Sequence, residues 1–309
     1  MSRIDVHQHL LPPAYTRWLK SKGIHAPGGR ELPPWSPQHA IALMDTYAIE
    51  TAVLSLSTPG TWLDDGAEAV TMARQVNEFG AELVQDRPDR FGYFATVPLP
   101  DPDAAVAAAT YALDELAADG VVLLANTDGV YLGHPGHDPL LAELDRRCAV
   151  VLVHPSELPA PPVPGLPPFA ADFLLDTTRA AAHLVLHGVP RRYPNLKIVL
   201  SHAGGFLPYA AHRITAALVA ETGRGFEEIL EDLRSFWFDT ALSGSPSALP
   251  SLLAFARPDR VLFGTDWPFA PEVAVAHFTG EYDRYPGLDP AGHQAIDRDN
   301  ARALFARVA

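Results

Sequence analysis

Eight short runs rich in β-branched and aromatic residues alternate strictly with longer Ala- and Leu-rich stretches. This alternation constrains the fold of the 309-residue chain more than any other feature. Strands are expected near Ile4–His7, Ala52–Leu56, Arg90–Val97, Val121–Leu124, Val150–His154, Lys197–Ser201, Phe236–Asp239 and Val261–Thr265. Helices are expected over Ala67–Gln85, Ala104–Ala118, Pro139–Arg147, Ala171–Val189, Leu207–Thr222, Ser247–Phe255 and near Asp299–Arg307. Eight strands in strict alternation with helices predict an α/β fold, the (β/α)8 or TIM barrel, which takes about 250 residues. No composition break marks a second domain, so one barrel is expected across residues 1–309. The competing doubly wound sheet would carry a Gly-rich phosphate-binding turn after its first strand, where this chain has His7-Gln8-His9.

That His-x-His is the first of several chemically loaded strand ends. Side chains of a strand alternate faces, so His7 and His9 project to the same side. Val150-Val151-Leu152-Val153 ends in His154, Lys197–Ser201 ends in His202, and Val261–Thr265 ends in Asp266. In a barrel all strand C-termini converge on one face, so these residues meet although they are distant in sequence. His7, His9, His154 and Asp266 form a three-nitrogen, one-oxygen set suited to one divalent ion. Zinc would take such ligands at about 2.0–2.2 Å and keep a position for water or substrate. His202 is set apart from the ligands, because a fifth would crowd that position and an imidazole titrates near neutrality, as an acid–base catalyst should. Gly204-Gly205 lets the backbone approach a ligand closely. Asp239 is expected to orient His202 or close the barrel mouth. The other histidines (25, 39, 134, 137, 183, 187, 212, 277 and 293) are expected in surface or packing roles.

Composition narrows the partners. A hydrophobic fraction of 48% with 19% charged residues describes a chain with a sizeable core. A net charge of −14 argues against nucleic acid. No run reaches the roughly 18 apolar residues of a membrane span, and the first twenty residues lack the apolar core of a signal peptide. The single cysteine, Cys148, rules out an internal disulfide and suits a reducing cytoplasm; it precedes a strand, far from strand C-termini, and is expected to be inert and buried. Two connections are long: Leu10–Trp35, with Pro12, Pro13, Pro33 and Pro34, and Pro155–Pro168, with seven prolines. Loops of this length serve as lids or binding loops, and their prolines make them stiff walls.

Asp5-Val6-His7-Gln8-His9, His154-Pro155, Ser201-His202-Ala203-Gly204-Gly205 and Gly264-Thr265-Asp266-Trp267-Pro268 together resemble the amidohydrolase superfamily over essentially the whole chain. Within it they look like the branch of aminocarboxymuconate semialdehyde decarboxylase and the salicylate-type decarboxylases. Binuclear relatives carry a bridging lysine at the end of strand 4, whereas Val121–Asn126 has none, which implies a mononuclear site. The resemblance implies His7, His9, His154 and Asp266 as metal ligands and His202 as the catalytic residue; the metal is expected to be zinc or alternatively manganese, and the proton donor His202 or Asp266. The resemblance further implies Arg213 as a carboxylate-binding arginine reaching a neighbouring subunit of a homodimer. Leu123–Asn126 leading to Tyr131-Leu132-Gly133, and Phe169 through Arg179, are similar to 6-methylsalicylate decarboxylases, which brings Asn126 and Phe169 to the substrate. Phe173, Trp267 and Phe269 are further candidates for the walls of a flat pocket. Ser36–Ala40 has no arginine where the semialdehyde enzyme keeps one, which favours an aromatic acid over a muconate. The expected function is non-oxidative decarboxylation of a small hydroxylated aromatic acid. Metal-assisted hydrolysis of a lactone, amide or ester is the alternative.

Overall fold

A computed structural model describes residues 2–305 and residue 307. Eight parallel strands form one sheet in sequential order: β1 (Arg3–His9), β2 (Ile49–Ser55), β3 (Phe91–Thr96), β4 (Gly120–Leu124), β5 (Val150–His154), β6 (Lys197–Leu200), β7 (Trp237–Asp239) and β8 (Val261–Leu262). The sheet closes where Val6 N–H donates to Phe263 O at 3.0 Å and His9 N–H donates to Trp267 O at 2.8 Å. The architecture is the expected (β/α)8 barrel.

Two apolar layers follow from strand alternation. Ile4, Val6, Val53, Phe94, Val122 and Leu152 fill the barrel interior, whose base is plugged by Ala301, Leu304 and Phe305 from the C-terminal segment. Residues of opposite parity, such as Leu54, Tyr93, Val151 and Ile198, pack against the surrounding helices. On β5 the interior positions Val150 and Leu152 lead directly to His154 at the top. β1 needs a device to do the same. Ile4 and Val6 face inward, but the pairing with β2 slips between Asp5 and Gln8, and beyond that bulge His7 and His9 take over the inward face.

Several helices depart from the sequence-based expectation. Pro13–Ser21 and Pro37–Thr46 are helices with proline at the first turn, the second capped by Ser36 Oγ, which accepts His39 N–H at 3.2 Å. The first connection is therefore partly helical, not a bare loop. Phe226–Arg234 and Glu272–Asp283 are also helical, and Ala171–Val189 breaks at Gly188 (φ +67°) into Asp172–Leu186 and Val189–Arg192. The last helix covers Asn300–Leu304, and residue 306 lies outside the described set. Cys148 is exposed rather than buried, at the end of the barrel opposite the strand C-termini.

Candidate metal centre and active site

The C-terminal ends of β1, β5 and β8 bring four side chains together. His7, His9, His154 and Asp266 are all buried, with one ligand atom of each within 4.8 Å of every other. His7 Nε2 lies 3.2 Å from His9 Nε2, and Asp266 Oδ1 lies 2.9 Å from His9 Nε2 and 3.4 Å from His7 Nε2. Ligands about 2.1 Å from a tetrahedral ion sit about 3.4 Å from one another, so this spacing fits a common cation.

The imidazoles are also oriented for that task. Each has its Nδ1 engaged away from the centre: His7 with Asp239 Oδ2 at 2.8 Å, His9 with Ser55 O at 3.2 Å, and His154 with Pro155 O at 2.8 Å. Fixing Nδ1–H in this way leaves Nε2 free to face the centre, the arrangement expected around a bound metal. Electrostatics keep His9 and His154 neutral and Asp266 charged, as ligands must be, whereas His7 holds a proton that a metal would displace. Burial opposes a charge on His7, but the carboxylates of Asp239 and Asp266 outweigh it and push its pKa up to about 10. Burial and the neighbouring His7 lower that of His9, and burial with His9 drives His154 well below its ordinary value. Burial would raise Asp266, yet hydrogen bonds from His202, His7 and His9 hold it well below the usual carboxylate range.

Asp5, absent from the sequence-based site, ties β1 to the end of β8. Its Oδ1 accepts His7 N–H and Thr265 N–H, and its Oδ2 accepts Gln8 Nε2–H and Thr265 Oγ–H. Burial lifts its pKa to about 6. Asp239 is closer to His7 than anticipated: it holds the His7 ring, and only the main-chain N–H of His202.

His202 Nε2 stands 3.5 Å from Asp266 Oδ2, and its Nδ1 is buried without a partner among the described residues. The residue has φ +54°, followed by Ala203 at +57°, and Asp266 has φ +64°. Left-handed backbone at non-glycine residues is costly and concentrates where a side chain must be aimed.

These groups form the floor of a cavity of about 400 Å3. His154, His202 and Asp266 line it below, while Phe169, Phe173, Phe269, Phe278, Leu174 and Leu242 supply apolar walls. His9 meets Phe269 edge-on with ring centres 5.4 Å apart. The two long connections meet at the mouth: Gly28 N–H donates to Glu157 Oε1 at 2.8 Å, and Gly29 packs on Pro168.

Three expected substrate residues are not among those that line this cavity. Trp267 is buried behind the site and does not line the cavity, its carbonyl being used in barrel closure. Asn126 braces the loop after β5, with Nδ2 donating to Asp176 Oδ1 and Glu157 O, each at 3.0 Å. Arg213 is exposed on the outer helix Leu207–Thr222. Asp176, unforeseen, is the hub of that brace: it also accepts Tyr131 Oη–H at 2.7 Å and Ser156 N–H at 2.9 Å.

Known proteins share this design. The family described as Amidohydrolase matches residues 4–307. Decarboxylase yanB of Aspergillus niger is 40% identical over 326 residues, covering 99% of this chain and 88% of the relative. The 6-methylsalicylic acid decarboxylase of Penicillium expansum is 38% identical over 321 residues, covering 100% of this chain and 97% of the relative. A crystal structure of an amidohydrolase II superposes with a TM-score of 0.93 at 32% identity, covering 98% of this chain and 99% of the other. A converging strand-end donor set under an aromatic cavity and matches of this extent lead to one assignment: the chain belongs to the amidohydrolase family.

Proposed function

We propose that this protein is a metal-dependent, non-oxidative decarboxylase of a small hydroxylated aromatic acid of the salicylate type. The observation that carries this reading is the position of the donor set, at the floor of an apolar cavity with aromatic walls. A flat ring is held by such walls through area and edge contacts, and water is kept from the reacting carbon. Relatives at 40% and 38% identity that are named as decarboxylases support the same reaction class.

His7, His9, His154 and Asp266 would hold the ion, and zinc suits three imidazoles and one carboxylate, with manganese the alternative. When bound, the ion supplies the positive charge that draws a carboxylate and an ortho-hydroxyl to the cavity floor. The chain's own groups then handle the proton. One of His202 and Asp266, whose Nε2 and Oδ2 stand 3.5 Å apart, delivers it to the ring carbon that bears the carboxylate. The bond to the carboxylate breaks, its electron pair restores the aromatic ring, and CO2 leaves.

A homodimer and a cytoplasmic setting accompany this reading. Supporting the first, Tyr209, 89% exposed, lies one turn before Arg213 on the same outer helix, beside exposed Phe206. Supporting the second are the unpaired Cys148 and the absence, among the described residues, of any helix long and apolar enough to cross a membrane.

The test is incubation of zinc- or manganese-loaded protein with a panel of salicylates, reading CO2 and the decarboxylated phenol. Turnover of lactones or esters with none of any aromatic acid would overturn the proposal.

A further inference from the structure

We infer that Arg30 is a specificity residue that recognises an anionic substituent on the edge of the substrate ring facing away from the metal donors. The inference rests on the decarboxylase reading for the orientation of the ring, and it adds a requirement on what that ring carries.

The cavity is almost without charge. Apart from Asp266, which belongs to the donor set, the one permanently charged side chain among the described residues that line it is Arg30. The two differ in burial. Asp266 is on the buried floor with His154 and His202, whereas Arg30 is half-buried and lies against Phe169, 40% exposed at the mouth. The guanidinium carbon stands 5.8 Å from the centre of the Phe169 ring. Contact with an aromatic ring occupies one side of a guanidinium and leaves N–H groups free for an acceptor.

Among the described residues Arg30 lacks an acidic partner. The chain carries 37 acidic against 23 basic residues, and many of its arginines are paired, as Arg90 is with Asp45 and Arg257 with Glu231. Among the described residues Arg30 has neither an ion pair nor a side-chain hydrogen bond. A cation kept unpaired in so acidic a molecule, at the entrance of an apolar cavity, is poised for an external anion.

Its backbone is fixed rather than free to wander. Arg30 N–H donates to Pro27 O at 3.3 Å, Gly28 is tied to Glu157, and Gly29 (φ +81°) leaves room for Pro168 where a Cβ would lie 2.7 Å from that ring. The arginine is thus presented by a braced loop, which reduces the ordering cost of binding. A ring whose carboxylate and hydroxyl occupy the floor turns its positions 4 and 5 toward the mouth. An anionic group there would meet Arg30.

The test compares 5-sulfosalicylate with 5-methylsalicylate, binding each to zinc-loaded wild-type, Arg30→Gln and Arg30→Lys protein by calorimetry. Arg30→Gln should weaken 5-sulfosalicylate about tenfold or more, as loss of a charged hydrogen bond does, and change 5-methylsalicylate less than about twofold. Arg30→Lys should recover part of the loss. An equal loss for both ligands would mean that Arg30 only steers anions into the cavity, and an unchanged affinity for 5-sulfosalicylate would mean that it does not reach the ring. Either result overturns the inference. Because binding is read without turnover, an Arg30-dependent preference in a protein that decarboxylates nothing would leave the inference intact and remove the proposed reaction.

Discussion

Asp239 grips His7 from behind the cavity floor, Oδ2 to Nδ1 at 2.8 Å, with both side chains buried. The other oxygen of the same carboxylate accepts the main-chain N–H of His202 at 2.9 Å and of Ala241 at 3.0 Å. One group therefore sets the direction of a metal-facing imidazole and the turn that carries the candidate acid. Asp239→Ala should lower metal affinity about 10–100-fold, the usual penalty for removing the partner of a ligating histidine. Competition against a chelator measures it, and an unchanged affinity would show that packing alone orients His7.

The same pair predicts a proton. The His7 pKa of the metal-free protein lies at about 10, above its ordinary value of 6.5. A raised pKa means that the charged ring stabilises the fold fully below about pH 6.5, a contribution lost as the pH climbs through 10. A metal requires the neutral ring, so binding at pH 8 should release close to one proton, and apparent affinity should rise by up to about tenfold per pH unit from 6.5 to 10. Calorimetry in buffers of different ionisation enthalpy counts the proton. Asp239→Asn should release much less, and a pH-independent affinity in wild-type protein would contradict the electrostatics.

How legible this was in the sequence depends on the range of each contact. β5 was read residue by residue, because an uninterrupted apolar run ending in His154 is a local pattern. Strand alternation put His7 and His9 on one face, but the slip between Asp5 and Gln8 that turns that face inward depends on pairing with β2 and leaves no local mark. Proline misled once: Pro13 belongs to a connection expected as a stiff loop and is a first-turn helix residue. Asp239 and His7 are separated by 232 positions, so their contact exists only once the barrel closes. Arg30 sits in a connection without periodicity, where composition does not say which side chain faces a cavity. Asn126 came from resemblance and Trp267 from its aromatic character, neither of which fixes the direction of a side chain in space.

His154 and His202 separate ligand from acid. His154→Ala removes one of four candidate ligands and should lose the ion stoichiometrically. His202→Ala, whose Nε2 faces Asp266, should retain the ion and lose turnover. Elemental analysis beside a CO2 assay decides the matter. Loss of metal in both variants would make His202 a ligand.

The Asp176 hub ties the site to its mouth. Asp176→Ala removes an acceptor from buried Asn126 and from half-buried Tyr131 and Ser156, at a cost of about 2–4 kcal/mol in all. Ser156 leads to Glu157, which holds Gly28 in the opposing loop, so the mouth should loosen as well. Urea melts should show the stability loss, and KM should rise with little change in kcat. A fall in kcat at constant KM would mean that the network reaches the floor instead.

Glycine at 205 tests how tightly the His202 turn is packed. A Cβ there would fall 2.1 Å from the Leu174 carbonyl oxygen, and the residue has φ +64°. Gly223 has a similar φ of +69°, but nothing lies within 4 Å of its would-be Cβ. Gly223→Ala should therefore cost only the backbone strain, about 1–2 kcal/mol. Gly205→Ala adds a clash against a helix carbonyl that cannot move alone, for a total of about 3 kcal/mol or more. Thermal melts of the two variants compare strain with strain plus collision. Equal losses would mean that the helix Asp172–Leu186 yields, and that the turn bearing His202 is held by the Asp239 carboxylate rather than by its packing on that helix.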